Sequence, residues 1–123
     1  MKSMKQVSFL IVLTAMVLFT SLDSSAQAFY FYDGNRLVQL MREYDKSETR
    51  NPSTDYMDVG IYMGYVAGIF DTTKDIFFDP PKNVTVGQIC SIVGKYLKEN
   101  PEKWTLPASV LATEALQKAF PKR

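Results

Sequence analysis

The chain of 123 residues has no histidine and one cysteine, Cys90. Without imidazole there is no Ser-His-Asp triad, no Cys-His nucleophile pair and no histidine zinc site. A lone thiol excludes Cys-rich metal centres, dithiol redox work and any intramolecular disulfide, so the fold must rest on its core. Cys90 lies in QICSIV on an apolar helical face and reads as a small buried hydrophobe, with an intermolecular disulfide as the alternative. No glycine-rich loop stands between a strand and a helix to cradle phosphate, and no calcium loop is present. The residues call for no cofactor and no metal, and they read as a binder rather than an enzyme.

Long apolar runs are scarce as well. Lys2 and Lys5 precede VSFLIVLTAMVLF at 7–19, and TSLDSSAQA then turns small and polar. A basic end, a short apolar core and a small-residue exit make a secretory signal peptide, with cleavage expected after Ala26 or Ala28. The apolar core is short for a membrane span, which makes an uncleaved anchor the weaker alternative. Residues 1–28 are thus a leader and 29–123 a single domain, small enough to hold one modest core. Losing Lys2, Lys5 and Asp23 leaves 12 basic and 12 acidic residues in the mature protein. A neutral chain offers no basic face to nucleic acid or to an anionic membrane.

What remains is helical punctuation. Leu37, Val38, Leu40, Met41 and Tyr44 repeat at helical spacing and predict a helix over 34–46, which SETRNPST then ends. Ser53 or Thr54 is the expected cap of a second helix over 54–73, with Asp55 and Asp58 suited to its first turn. Thr85 and Gln88 form a capping box for a third helix, and Asn100-Pro101 ends it. Pro107 opens a fourth whose inner face includes Leu111, Ala115 and Leu116, and Pro121 stops it. No segment alternates as a half-buried strand does. The fold class is all-α, a compact bundle of about four helices after the leader.

The second helix carries an oddity. Gly60, Gly64 and Gly68 recur every four residues on one face, although each costs about 1 kcal/mol relative to alanine in a helix interior. The uncharged run between Asp58 and Asp71 is too short to span a bilayer, so a transmembrane seam is excluded. The spacing predicts a face that admits a close helix neighbour, in this chain or in a second copy as a homodimer, with the same chain preferred. On that reading Gly64→Leu overpacks the fold. Because its other faces are apolar too, this helix should be central. Asp71 extends the glycine face and should pair with Arg36, Arg42 or Lys74.

The connection 72–84, TTKDIFFDPPKNV, joins Asp75, Phe77, Phe78, Asp79 and Lys82 on a backbone stiffened by Pro80-Pro81. Aromatics on a rigid loop lose little entropy on docking, so these residues, with Trp104, are the candidate partner contacts. The alternative is that Phe77 and Phe78 fold back over the end of the bundle; one of them can pack while the other projects.

Together GYVAGIFD and the segment FFDPPKNVTVGQICSIVGKYLKENPEKWTLPASVLATEALQKAFP make the chain resemble the Rap/Tai family of periplasmic immunity proteins. The resemblance covers about 34–121, and its most specific parts are G-Y-x-x-G-x-x-D, V-T-V-G-Q, K-Y-L-x-x-x-P and A-L-x-x-A-F-P. It implies a helical protein, often dimeric, that protects against type VI secretion effectors by binding a peptidoglycan-cleaving amidase in the periplasm. Many relatives carry cysteines where this chain has Phe78 and Lys122, which puts a family disulfide out of reach. A small periplasmic chaperone or general protein-binding module is the alternative.

Overall fold

The computed structural model describes residues 3–20 and 29–123. Its elements are α1 (Met4–Thr20), α2 (Gly34–Glu48), α3 (Tyr56–Thr73), α4 (Val86–Glu99), a 3-10 turn (Pro101–Lys103) and α5 (Ala108–Ala119), with no strand among the described residues. The predicted all-α class and the four-helix bundle are both present. The cleavage positions Ala26 and Ala28 lie outside the described residues. No helix among the described residues is long and apolar enough to cross a membrane.

Local hydrogen bonds account for most of the helix ends. At α4 the Thr85 hydroxyl accepts from the Gln88 backbone N–H at 3.2 Å while the Gln88 side-chain Oε1 accepts from the Thr85 N–H at 2.8 Å. The capping box predicted from T-x-x-Q is therefore complete. For α3 the expected cap is displaced: the Asp55 carboxylate, not Ser53 or Thr54, accepts from Met57 and Asp58. Aspartate caps as well as serine and adds charge at the positive end of the helix dipole.

Helix α3 is central, packing against α2, α4 and α5. It contributes Val59, Tyr62 and Val66 to a core completed by Leu37, Leu40 and Met41 of α2, Ile89, Val93 and Leu97 of α4, and Leu111 and Leu116 of α5. No described side chain of α1 belongs to that core. Within it, the Tyr62 hydroxyl donates to the Cys90 carbonyl at 2.9 Å, and burial drives the phenol far above its ordinary pKa. Cys90 is buried, and desolvation pushes its thiol up to about 12, so it stays protonated and inert at neutral pH.

The glycine face points the other way from expectation. A Cβ built at Gly60, Gly64 or Gly68 meets nothing within 4 Å, so among the described residues no helix closes on that face and the close neighbour on which the overpacking of Gly64→Leu depended is missing. A close approach exists elsewhere, at Gly34. There the N–H groups of Gly34 and Asn35 donate to the carbonyls of Leu106 (2.8 Å) and Trp104 (2.9 Å), and Ala108 N–H donates to Tyr32 (3.0 Å). This antiparallel bridge binds the start of α2 to the start of α5, and a Cβ at Gly34 would lie 2.6 Å from the Trp104 carbonyl oxygen. Backbone cannot yield as a side-chain tip does. Gly34→Ala is therefore expected to lower stability by about 1–3 kcal/mol, while Gly64→Ala raises it by about 0.5–1 kcal/mol through helix propensity. Paired urea melts read both changes, and equal midpoints would refute the assignment.

One surface cluster ties α4 to α5. The Tyr96 hydroxyl donates to Glu114 at 2.5 Å, and Lys103 Nζ donates to both Tyr96 (2.8 Å) and Glu114 (3.0 Å). The hydrogen bond from Tyr96, then that from Lys103, holds the Glu114 carboxyl below its ordinary 4.5. A depressed carboxylate stabilises the fold above its unfolded pKa and loses that contribution as pH falls through the folded value. Between neutral pH and pH values below 4.5 the melting temperature of wild type should fall more steeply than that of Glu114→Gln. Parallel slopes would show that the cluster carries no acid sensitivity.

Candidate functional site

Past the end of α3 the chain makes a tight knuckle. Asp75 takes a left-handed backbone conformation, φ 65°, and its N–H donates to the Phe78 carbonyl at 2.8 Å. The N–H groups of Ile76 and Phe77 both turn back to the Thr73 carbonyl, at 3.2 and 2.9 Å. This geometry separates the neighbouring aromatics. Phe78 is 0% exposed, while Ile76 is 63% and Phe77 50% exposed.

Phe78 forms the floor. Its ring lies 5.7 Å from that of Phe70 and 6.3 Å from that of Phe120, inside the range for favourable aromatic pairs. The C-terminal segment ties the knuckle down. Lys122 Nζ donates to the carbonyls of Asp75 (2.5 Å) and Ile76 (3.1 Å), Asp79 N–H donates to the Phe120 carbonyl (3.2 Å), and Arg123 N–H donates to the Asp79 carboxylate (2.9 Å). Phe78 and Lys122, the positions where the resemblance implies cysteines, thus belong to one clamp that works by packing and hydrogen bonds.

The other sequence-predicted contacts divide. Asp75 and Asp79 shape the knuckle, and Lys82 stands exposed beyond Pro81. Phe78 is buried in the core. Trp104 is not brought to this place: its indole N–H donates to the Leu97 carbonyl at 2.8 Å, and its backbone abuts Gly34. It precedes α5, whereas Phe120 follows it, and a helix of that length separates the two by about 18 Å. Asp71 pairs with Lys74 at 3.6 Å on the surface, as one of its three expected partners. Among the described residues no cluster of His, Cys, Asp or Glu could hold a metal ion.

Sequence reasoning missed Ile76 and Lys122. The apolar triplet IFF was the available signal for Ile76; nothing local marks Lys122, whose partners lie 46 and 47 residues away.

A family model described as Rap1a immunity proteins matches residues 33–121. The chain belongs to the Rap1a immunity protein family. The match opens at the α2 cap and closes at the end of α5, taking in the knuckle and its Phe120 support but not α1. Membership in the Rap1a immunity family assigns the chain the binding of a cognate effector. No curated protein matches the chain.

Proposed function

We propose that this protein is a periplasmic immunity factor that binds and inhibits a peptidoglycan-cleaving amidase delivered by type VI secretion, and that it is an inhibitor rather than an enzyme. The observation that carries the reading is the Ile76–Phe77 pair, an apolar anchor held outward over buried Phe78, with the carbonyls of Asp75 and Ile76 tied by Lys122. A preordered anchor concentrates binding energy in few side chains and loses little entropy on docking. With no neighbour among the described residues, the open glycine face and the exposed Tyr56 and Met57 beside it are left to a second molecule, a copy of the chain or the effector.

The leader belongs to the same proposal. Helix α1 is apolar, its described side chains are largely exposed and none joins the core, which suits a segment removed after export at Ala26 or Ala28. Co-expression tests the whole reading. Periplasmic expression beside the amidase encoded next to this gene should prevent lysis, and a leaderless form should not. If wild type gives no protection against any linked effector, the chaperone alternative takes its place.

A further inference from the structure

Helices α2 and α4 both lean on α3 and leave a furrow between them. It opens into a cavity of about 470 Å³ beside Tyr44, Glu48, Val84, Ile92 and Phe120. It then continues past Tyr44, Glu48 and Ser91 into a second of about 400 Å³ above Cys90. One wall is apolar, from Val84, Ile92 and Phe120. Glu48 lines both cavities.

The charges along this furrow are nearly all spoken for. Lys98 pairs with Asp45 across it at 2.7 Å, and Lys95 pairs with Glu99 at 3.8 Å. Lys46, the basic residue in the last turn of α2, pairs with Glu43 at 2.6 Å. Among the described residues no cation lies within ion-pairing distance of Glu48. The furrow therefore has a free negative charge at its mouth.

That charge is felt at the floor. Burial first, and then Cys90, Glu48 and Asp45, raise the Tyr44 phenol, while burial and then Glu48 raise the Cys90 thiol. The N-terminus of α4 faces the same space with the opposite sign, but a helix end is worth about half a charge and fades within one turn. Its capping box also occupies the N–H groups of Thr85 and Gln88. The full charge of Glu48 prevails.

We infer that this furrow is a socket for a cationic side chain, arginine or lysine, presented by a partner protein. The aliphatic stem would lie along Val84, Ile92 and Phe120, and the charged head would meet Glu48 and the Tyr44 hydroxyl, which sits beside Gly87 at the start of α4. Long cationic side chains bury their stems on apolar surface in this way, and arginine is enriched among interface anchors. Identifying the partner with the amidase rests on the proposed function; the socket itself does not.

Two arms keep the claims separate. In the first, the isotope-labelled protein is titrated with acetyl-Ala-Arg-Ala-amide and with its citrulline counterpart, which has the same shape and no charge. The arginine peptide should shift the amides of Gly87, Gln88 and Ser91 and bind at least about tenfold better, the scale of a hydrogen bond to a charged group. Glu48→Gln should abolish that preference and Glu48→Asp keep part of it. Equal affinities, no measurable binding, or shifts away from the furrow would overturn the socket. In the second arm, Glu48→Gln should weaken capture of the linked amidase about tenfold and flatten its salt dependence. If the peptide preference holds while wild type captures no linked amidase, the socket stands and the amidase reading falls.

Discussion

Replacing Ile76 and Phe77 together with serine is expected to weaken effector capture at least about a hundredfold, or about 2.8 kcal/mol, without unfolding the protein. Ile76 is 63% and Phe77 50% exposed and neither belongs to the core, so their removal costs the core little. The knuckle that presents them is built from backbone hydrogen bonds to Thr73 and Phe78 and from the Lys122 contacts, none of which the change touches. Surface substitutions clear of such features usually stay within about 0.5 kcal/mol of neutral. The loss should therefore fall on binding alone. Calorimetry with the linked amidase gives affinity and a thermal melt gives stability, while co-expression reports whether lysis is prevented. A variant that melts like wild type and protects fully would move the contact surface elsewhere, with the segment 46–54 at the end of α2 next to examine.

The neighbouring residue should behave in the opposite manner. Phe78→Ala empties a site with no exposure between Phe70 and Phe120, and buried phenylalanine truncations cost about 3–5 kcal/mol. A domain of this size has about 5–15 kcal/mol to lose. At about 4–8 °C per kcal/mol the melting temperature should drop by at least about 12 °C, and protection should fail because the knuckle has lost its floor. Phe78→Leu, which keeps most of the volume, should recover much of both. If Phe78→Ala melts near wild type while binding is lost, Phe78 is a contact residue and the division between floor and anchor is wrong.

These two expectations differ because adjacent phenylalanines occupy different environments, a difference that composition does not encode. The sequence supported a loop in which one ring packs and the other projects. Which one did so depended on Asp75 entering the left-handed region and on Phe120 arriving from the end of α5. Both are consequences of packing between segments far apart in the chain. The setting of Trp104 was hidden for the same reason, since its neighbours Leu97 and Gly34 are assembled only when α2, α4 and α5 meet.

By itself the sequence determined the four helices of the bundle and several of their ends. Thr85 and Gln88 close a capping box over three residues, Asn100-Pro101 stops α4, and Leu37, Val38, Leu40, Met41 and Tyr44 mark the buried side of α2. Such signals are legible because their hydrogen bonds and periodicities lie within one or two helical turns. Only the tertiary structure decided the direction of the glycine face. Helix α3 is apolar nearly all round, so no contrast along its own sequence says which side turns inward, and Tyr62 and Val66, not the glycines, took the core. The close approach fell to Gly34, because a bridge from the start of α2 to the start of α5 leaves no room for a Cβ, and that contact exists only once helices distant in sequence have come together.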